Sequence, residues 1–461
     1  MPVKKGLSLK LAALVSMVMR AAAGVLEILM GAVTARILTL QDLGIFFLFQ
    51  QFVRVAGLGA SFGLPTALLK VIGISSNAGD WRAVRTTLRQ SLWLLLLASI
   101  GCAILYAASW PFFADSLFGE YLSISSAALI FGIVVTRAIE LTGSAFFRGV
   151  RLYSLGTFLM SVPRQIGVVA VAGIFWLIGK HTDIETVLVF YFIVTIILSV
   201  GIFILIVQYM RGRSGGDGST GEKSLRSMAE LNFPLMLQAV LAELALRVDL
   251  WVLGFFGSKA DVAIYGAAQR LTLLVLFIMT SINLVIPPAL ATAYKQGNLK
   301  NLQWMTRATA TAGFLFALPF TALFVFFPKT IMGTVYGPSF EAGAVVLILL
   351  AIGRFSGAAS GNRIQLLQMT GNHALITKNS IVFMLISFAL CVALVGEYGP
   401  EGVAAGAAIS MIVRNFVLSH YCRKLVGVST FPSFRPADLA RLLKMRRQPR
   451  KEKASEPPSQ D

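Results

Sequence analysis

Charge is what this sequence has least of. Asp, Glu, Lys and Arg make up 13% of its 461 residues, where a soluble protein carries about 25%. Histidine occurs only three times, at positions 181, 373 and 420, far apart in sequence. The three cysteines, Cys102, Cys391 and Cys422, lie in or at the end of apolar runs, with no CxxC pair and no Cys/His cluster. These scarcities exclude a disulfide framework and a zinc site, and neither a metal nor a cofactor is expected. No nucleophile–base arrangement or phosphate-cradling loop stands out, so no catalytic residue and no enzyme is expected.

What is abundant is apolar: 56% of the residues are hydrophobic, 33 of them Phe, and mean hydropathy is +0.77. A bilayer core needs roughly 20 mostly apolar residues per helix, which leaves room for about twelve spans. The sequence therefore reads as an all-α polytopic membrane protein. The expected spans are 9–35, 43–72, 90–113, 122–146, 155–178, 185–208, 229–256, 262–290, 308–327, 341–368, 375–396 and 402–422. The first 24 residues have the basic start and apolar stretch of a secretory signal, but Arg20 interrupts that stretch and the run continues to Ala35. They are kept as the first span.

The formal charge of +19 suggests nucleic acid until position is considered. Lys4, Lys5, Lys10, Arg82, Arg85, Arg89, Arg148, Arg151, the central linker, Lys295, Lys300, Arg307, Lys378 and the C-terminal tail share one side of the expected topology. The other side holds Arg36, Lys180, Lys259 and Lys329. By the positive-inside rule both termini are cytoplasmic and the number of spans is even. Nucleic acid is not an expected partner, whereas membrane lipids are. The linker RGRSGGDGSTGEKS, Arg211 to Ser224, divides the chain near its middle. The expected units are residues 1–210, a cytoplasmic linker 211–226, residues 227–425, and a basic, largely disordered tail 426–461 that suits anionic headgroups.

The halves also match each other at an offset of about 218 residues. LQDLGIFFLFQQF (Leu40 to Phe52) falls on KADVAIYGAAQRL (Lys259 to Leu271), placing Asp42 on Asp261 and Gln50 on Gln269. GDWRAVRTTLR from Gly79 falls on GNLKNLQWMTR from Gly297, and SLFGEY on TVYGPS. Arg137 falls opposite Arg354, and FFRGVRLYSL opposite LLQMTGNHAL. Six spans per repeat bring each repeat back to its starting side. The halves are thus expected as two six-helix lobes related by a pseudo-two-fold axis along the membrane normal, with a solute path between them.

TARILTLQDLGIFFLFQQF resembles the first-loop signature of polysaccharide-biosynthesis exporters, in which one helix ends in "AR-L" and a "DLG-aromatic" opens the next. The FFRG and LLQMTG turns are similar to that family too. Over residues 8 to 425 the chain resembles Wzx-type lipid-linked oligosaccharide flippases of the multidrug/oligosaccharidyl-lipid/polysaccharide exporter superfamily. The resemblance implies a central cavity that alternates between the cytoplasmic and periplasmic sides of a bacterial inner membrane. It also implies an undecaprenyl-diphosphate-linked glycan as substrate, with the pathway's polymerase and glycosyltransferases as candidate partners.

Several spans carry ionisable residues, each costly in hydrocarbon unless it meets a partner or a watery cavity. Arginine outnumbers acid among them. Arg20, Arg54, Arg137, Arg247, Arg270 and Arg354 are the candidates for a cationic cavity, since a guanidinium fork matches phosphate oxygens in two-point contact. Glu27 and Asp249 are the candidates for ion coupling. Arg137–Glu140 and Glu243–Arg247 are spaced three and four apart, so each pair can close within its own helix. The alternative stays open that these groups pair only with one another and weld the bundle. Lys70 and Arg164 are read as lying close to the cytoplasmic ends and snorkelling to water. Two other functions compete: a multidrug-type cation antiporter, which would need acids and aromatics rather than surplus arginine, and a membrane-embedded polymerase or ligase, which would need a larger outward loop.

Overall fold

The structure, a computed structural model, describes residues 9–113, 124–179, 181–213, 215 and 225–433. Among these residues there are helices and turns and no strand. The first half runs α1 (Leu9–Ile37), α2 (Leu40–Ala60), α3 (Leu64–Asn77), α4 (Trp81–Phe113), α5 (Ile124–Gly149), α6 (Tyr153–Leu177) and α7 (Ile184–Met210). The second half opens with α8 (Leu225–Leu246), α9 (Val248–Phe256), α10 (Lys259–Leu271), α11 (Leu273–Lys295) and α12 (Leu299–Phe326). It closes with α13 (Pro328–Tyr336), α14 (Ala344–Ala359), α15 (Arg363–Met369) and α16 (His373–Tyr421).

Among the described residues, eight helices are long and apolar enough to cross a membrane, and nine if the bent pair α10–α11 counts as one span. The twelve expected segments all fall on helices, but they do not all meet that criterion. Several are broken where one rod was expected. Segment 43–72 divides at Phe62 and Gly63, whose φ angles are 48° and 70°. Segment 229–256 divides at Arg247, and 341–368 near Gly361, with φ 60°. Segments 375–396 and 402–422 stay distinct as expected: α16 is two helices that meet in a kink at Gly399, with φ 53°. Segment 262–290 runs on past its expected end: Pro287 and Pro288 lie inside α11, which continues to Lys295. The 47° bend comes earlier, at Thr272, whose hydroxyl donates to the Gln269 carbonyl at 2.8 Å. A proline in a membrane helix is tolerated where neighbouring groups take up the freed carbonyl, so sequence alone misplaces the hinge.

The internal repeat is visible in the local geometry. Thr39 caps α2 by accepting from Asp42 N, and Ser258 caps α10 by accepting from Asp261 N; each hydroxyl also donates to its Asp at 2.7 Å. Asp80 accepts from Ala83 N to cap α4, and Asn298 accepts from Asn301 N to cap α12, both at 3.0 Å. Gly79 and Gly297, just before those caps, have φ 73° and 65°. In the turns after α5 and α15, Leu152 N donates to Phe147 O and Asn372 N to Leu367 O, with Arg151 and Gly371 at φ 66° and 86°. A capped start needs a short oxygen-bearing side chain and a left-handed turn favours glycine, so these positions matched in sequence for physical reasons. SLFGEY lies outside the described residues.

The most extensive packing in the first half is α1 on α6 and α5 on α7; in the second it is α14 on α16 and α11 on α12. Helices α2 and α10 form the largest contact between the halves. At its centre Gly44 lets two backbones meet: a Cβ there would lie 1.8 Å from the Lys259 carbonyl oxygen. Helices α2 and α5 are mostly buried, while α4 and α7 are mostly exposed and present residues such as Leu97, Leu105, Ile197 and Phe203 outward. In a bilayer that apolar rim faces lipid and leaves the polar groups to the interior. After a π-helical turn at Cys422–Val426 the chain lies against α12. Gln303 exchanges two 2.8 Å hydrogen bonds with the Ser429 backbone, and Ser433 N donates to Thr311 Oγ1. The start of the expected 426–461 tail is therefore held to the second half; residues 434–461 lie outside the described residues.

Candidate functional site

The polar interior is built from the broken helices. Glu27 of α1 accepts from Arg54 of α2 at 2.5 Å, an interhelical pair that joins residues 27 apart. Their side chains are 12% and 27% exposed, so the pair is reachable from solvent. Arg164, Arg247 and Arg270 also lie within electrostatic reach of the Glu27 carboxylate. One acid thus faces arginines from α2, α6, α10 and the α8–α9 junction.

Arg247 sits at that junction with non-helical backbone, φ −137° and ψ 21°. Its Nε is 3.6 Å from Glu243 Oε1, a loose contact, and its Nη1 donates to Gln269 Oε1 at 3.2 Å. The side chain stays 20% exposed and within reach of Arg54 and Arg354. Asp249, two residues on, meets a different helix: Tyr265 Oη donates to it at 2.6 Å and Gln269 Nε2 at 3.1 Å. Leu250 N occupies its other oxygen, and the residue is 3% exposed.

Arg270 crosses between the halves. It donates to Gln50 Oε1 at 2.6 Å and to the Gly266 carbonyl at 3.0 Å, and its guanidinium lies 3.5 Å from the centroid of the Phe47 ring. Arg354 of α14 is half-buried and has no hydrogen bond or ion pair among the described residues; Asp249 is an acid within its electrostatic reach. Arg137 stands apart from these. It is enclosed between α5 and α6, donating to Glu140 at 2.8 Å and to the Met160 carbonyl at 2.9 Å. Arg20 lies on α1, but its side chain is outside the described residues.

The expected cationic set is thus gathered in part. Arg54, Arg247, Arg270 and Arg354 surround Glu27 and Asp249, whereas Arg137 belongs to a neighbouring ion cluster. Arg164, read from the sequence as a snorkelling residue, is mid-helix in α6, 3.5 Å from Glu140 and within reach of Glu27; it links the two groups. Its position, twelve residues into a 25-residue helix, was the signal for this. Lys70 is exposed, as snorkelling requires. Gln50 and Gln269 were visible only as a repeat match. Arg363 and Arg414, also intramembrane arginines, hold other groups: Arg363 the Gly357 and Gly361 carbonyls and Asn415 at the α14–α15 break, Arg414 the hydroxyl of Ser380. Among the described residues no three His, Cys, Asp or Glu side chains group to hold a metal.

Such a site can take an anion. Several guanidinium groups converge, one has no hydrogen bond or ion pair among the described residues, and two are part-exposed. A cation would have to displace Arg54 from Glu27, and the Tyr265 and Gln269 donors from Asp249.

Comparison with known proteins agrees with this architecture. The chain is 23% identical over 397 residues to the probable low-salt glycan biosynthesis flippase Agl15 of Haloferax volcanii, covering 86% of this chain and 79% of that one. Its fold is similar to an inward-facing multidrug resistance MATE family transporter of the MOP superfamily, with TM-score 0.64, 17% identity and coverage of 88% and 94%. It is equally similar to the lipid II flippase MurJ in an inward closed conformation, with TM-score 0.63, 16% identity and coverage of 93% and 90%. The family model for polysaccharide biosynthesis protein matches residues 11–294, well over half of the sequence, and this multi-pass membrane chain belongs to that family.

Proposed function

We propose that the protein flips lipid-linked oligosaccharide, an undecaprenyl-diphosphate-linked glycan, from the cytoplasmic to the periplasmic leaflet of a bacterial inner membrane. In this reading both termini are cytoplasmic, and residues 1–210 and 227–425 are six-helix lobes that rock about the α2–α10 contact. The protein is a transporter rather than an enzyme; lipid is its surroundings, and the polymerase and glycosyltransferases of the pathway are its neighbours.

The observation that carries the reading is the charge balance around Glu27 and Asp249. Five arginines (Arg54, Arg164, Arg247, Arg270, Arg354) face three carboxylates (Glu27, Glu243, Asp249), leaving two positive charges, while Arg137 and Glu140 offset each other in the neighbouring cluster. A diphosphate diester carries two negative charges and offers oxygens to guanidinium forks. Surplus arginine is the wrong complement for a cationic drug, although that class shares the fold. The flippase relative and membership of a polysaccharide-biosynthesis family point to the same substrate class.

The test is translocation in proteoliposomes. A polyprenyl-diphosphate oligosaccharide placed in the outer leaflet should become protected from an added glycosidase at a rate that depends on the protein. Arg247→Ala and Arg354→Ala should slow protection strongly at equal protein content. Protection at the rate of empty vesicles, or variants as fast as wild type, would overturn the proposal.

A further inference from the structure

Two buried glutamines occupy equivalent places in the two halves, and each offers its side-chain carbonyl oxygen to an arginine. Gln50, on α2, accepts from Arg270 at 2.6 Å; Gln269, on α10, accepts from Arg247 at 3.2 Å. They are 5% and 4% exposed. The remaining end of each amide is also engaged. Gln269 Nε2 donates to Asp249 at 3.1 Å, and Gln50 Nε2 faces the Met30 sulfur at 3.6 Å.

The Gln269 contact fixes more than one side chain. Asp249 takes three donors and is itself fixed, so it sets which end of the Gln269 amide points to Arg247. The result is an ordered chain from Tyr265 through Asp249 and Gln269 to Arg247, with the guanidinium at its solvent-reachable end. Glu243 alone does not fix that guanidinium, since its contact is 3.6 Å long. A side-chain amide also differs from a carboxylate in a way that matters for an anion. It orients the cation through a hydrogen bond and leaves its full charge uncompensated, whereas a carboxylate in the same place would neutralise it.

We propose that Gln269 is a positioning residue for the anion site: it aims Arg247 at the ligand with a neutral acceptor, so that orientation is gained without loss of positive charge. Gln50 gives Arg270 a neutral acceptor in the same way, but that guanidinium is buried under Phe47 and joins the halves instead. The inference rests on the diphosphate reading above and adds to it the group that sets the arginine's direction. Gln269 also lies one turn before the α10–α11 bend, where Thr272 binds its backbone carbonyl, so a change in that bend would move the amide and Arg247 with it.

The test titrates purified full-length protein in detergent with inorganic diphosphate, reading affinity and melting temperature together. Gln269→Met keeps the size of the side chain and removes both hydrogen bonds. Affinity should fall about tenfold, the worth of one charge-assisted hydrogen bond, while the melting temperature falls by a few degrees. Gln269→Glu supplies a signature that a merely structural role lacks. Protonated, it reproduces the amide's pattern, accepting from Arg247 and donating to Asp249; ionised, it discharges Arg247 and repels Asp249. The titratable and charged groups around it and its arginine are Glu27 of α1, Arg54 of α2, Arg247 and Glu243 of the α8–α9 segment, Asp249 of α9, Tyr265 and Arg270 of α10, Arg354 of α14 and Cys391 of α16.

The Gln269→Glu affinity, as a ratio to wild type at each pH, should therefore rise on acidification, while the Gln269→Met ratio stays low throughout. Wild-type affinity in Gln269→Met, or equal ratios for Gln269→Glu at every pH, overturns the inference while leaving the diphosphate reading intact. Absence of diphosphate binding by the wild type overturns that reading, and the inference with it.

Discussion

Arg270 of α10 donates to Gln50 of α2 at 2.6 Å, joining residues 220 apart in sequence and belonging to different halves of the chain. With Phe47 beneath its guanidinium and the Gly266 carbonyl beside it, Arg270 is spent on holding the halves together as much as on adding charge between them. The same interface contains Gly44. A methyl carbon placed there would sit 1.8 Å from the Lys259 carbonyl oxygen, so Gly44→Ala must push two backbones apart. A loss of about 1–3 kcal/mol is expected, read as a lowered melting temperature in detergent.

Glu27 is the acid that holds Arg54. Glu27→Gln frees that arginine and removes a negative charge facing three others. Diphosphate affinity should tighten by about tenfold, given the size of one charge–charge interaction at this separation. Transport should slow at the same time, because release becomes the slow step. Titration and vesicle translocation on the same preparation check both parts, and weakened binding would contradict the assignment of Glu27 as the counter-ion of Arg54.

Arg354 and Arg363 give a contrast within nine residues of sequence. Arg354 has no hydrogen bond to break among the described residues, so Arg354→Ala should leave the melting temperature nearly unchanged and reduce translocation. Arg363 binds two backbone carbonyls and Asn415 at a helix break. Its replacement by Ala should cost about 2–4 kcal/mol by leaving buried acceptors without a donor, with lower yield of folded protein.

Asp249 is expected to matter for stability more than for charge. In Asp249→Ala the Tyr265 hydroxyl and the Gln269 amide nitrogen lose their acceptor in a buried place. A loss of about 2–3 kcal/mol follows, and diphosphate affinity should fall with it because Arg247 is no longer aimed. Thermal melting and titration of this variant beside Asp249→Asn, which keeps one acceptor oxygen, separate the two effects.

Arg151 holds φ 66° at a position where its repeat mate is Gly371. The left-handed conformation costs a side-chain-bearing residue about 1–2 kcal/mol, partly offset by the greater freedom glycine loses on folding. Arg151→Gly should therefore stabilise the protein by about 0.5–1 kcal/mol, seen as a small rise in melting temperature.

The long apolar runs were enough to establish a helical membrane protein, because about 20 apolar residues in a row suit a helix across hydrocarbon and not the alternating strand of a barrel. The repeat was legible for a related reason. Thr39 and Ser258, Asp80 and Asn298, and Gly79 and Gly297 occupy caps and left-handed turns that admit few residue types, so they stayed recognisable in both halves. The presence of surplus arginine in the interior was equally plain.

Which arginine meets which acid was decided only by the tertiary structure. Intrahelical spacing correctly paired Arg137 with Glu140 and Arg247 with Glu243, yet Arg54 reaches Glu27 on another helix and Arg164 turns inward to Glu140. The breaks at Gly63, Arg247 and Thr272 were hidden too. A helix bends where its neighbours can take up its freed carbonyls, and that depends on residues far away in the chain. Sequence determined how much charge lies in the membrane and of which sign; packing alone determined that Arg247, beside Glu243, also meets the neutral Gln269, and that Arg54 meets the Glu27 of another helix.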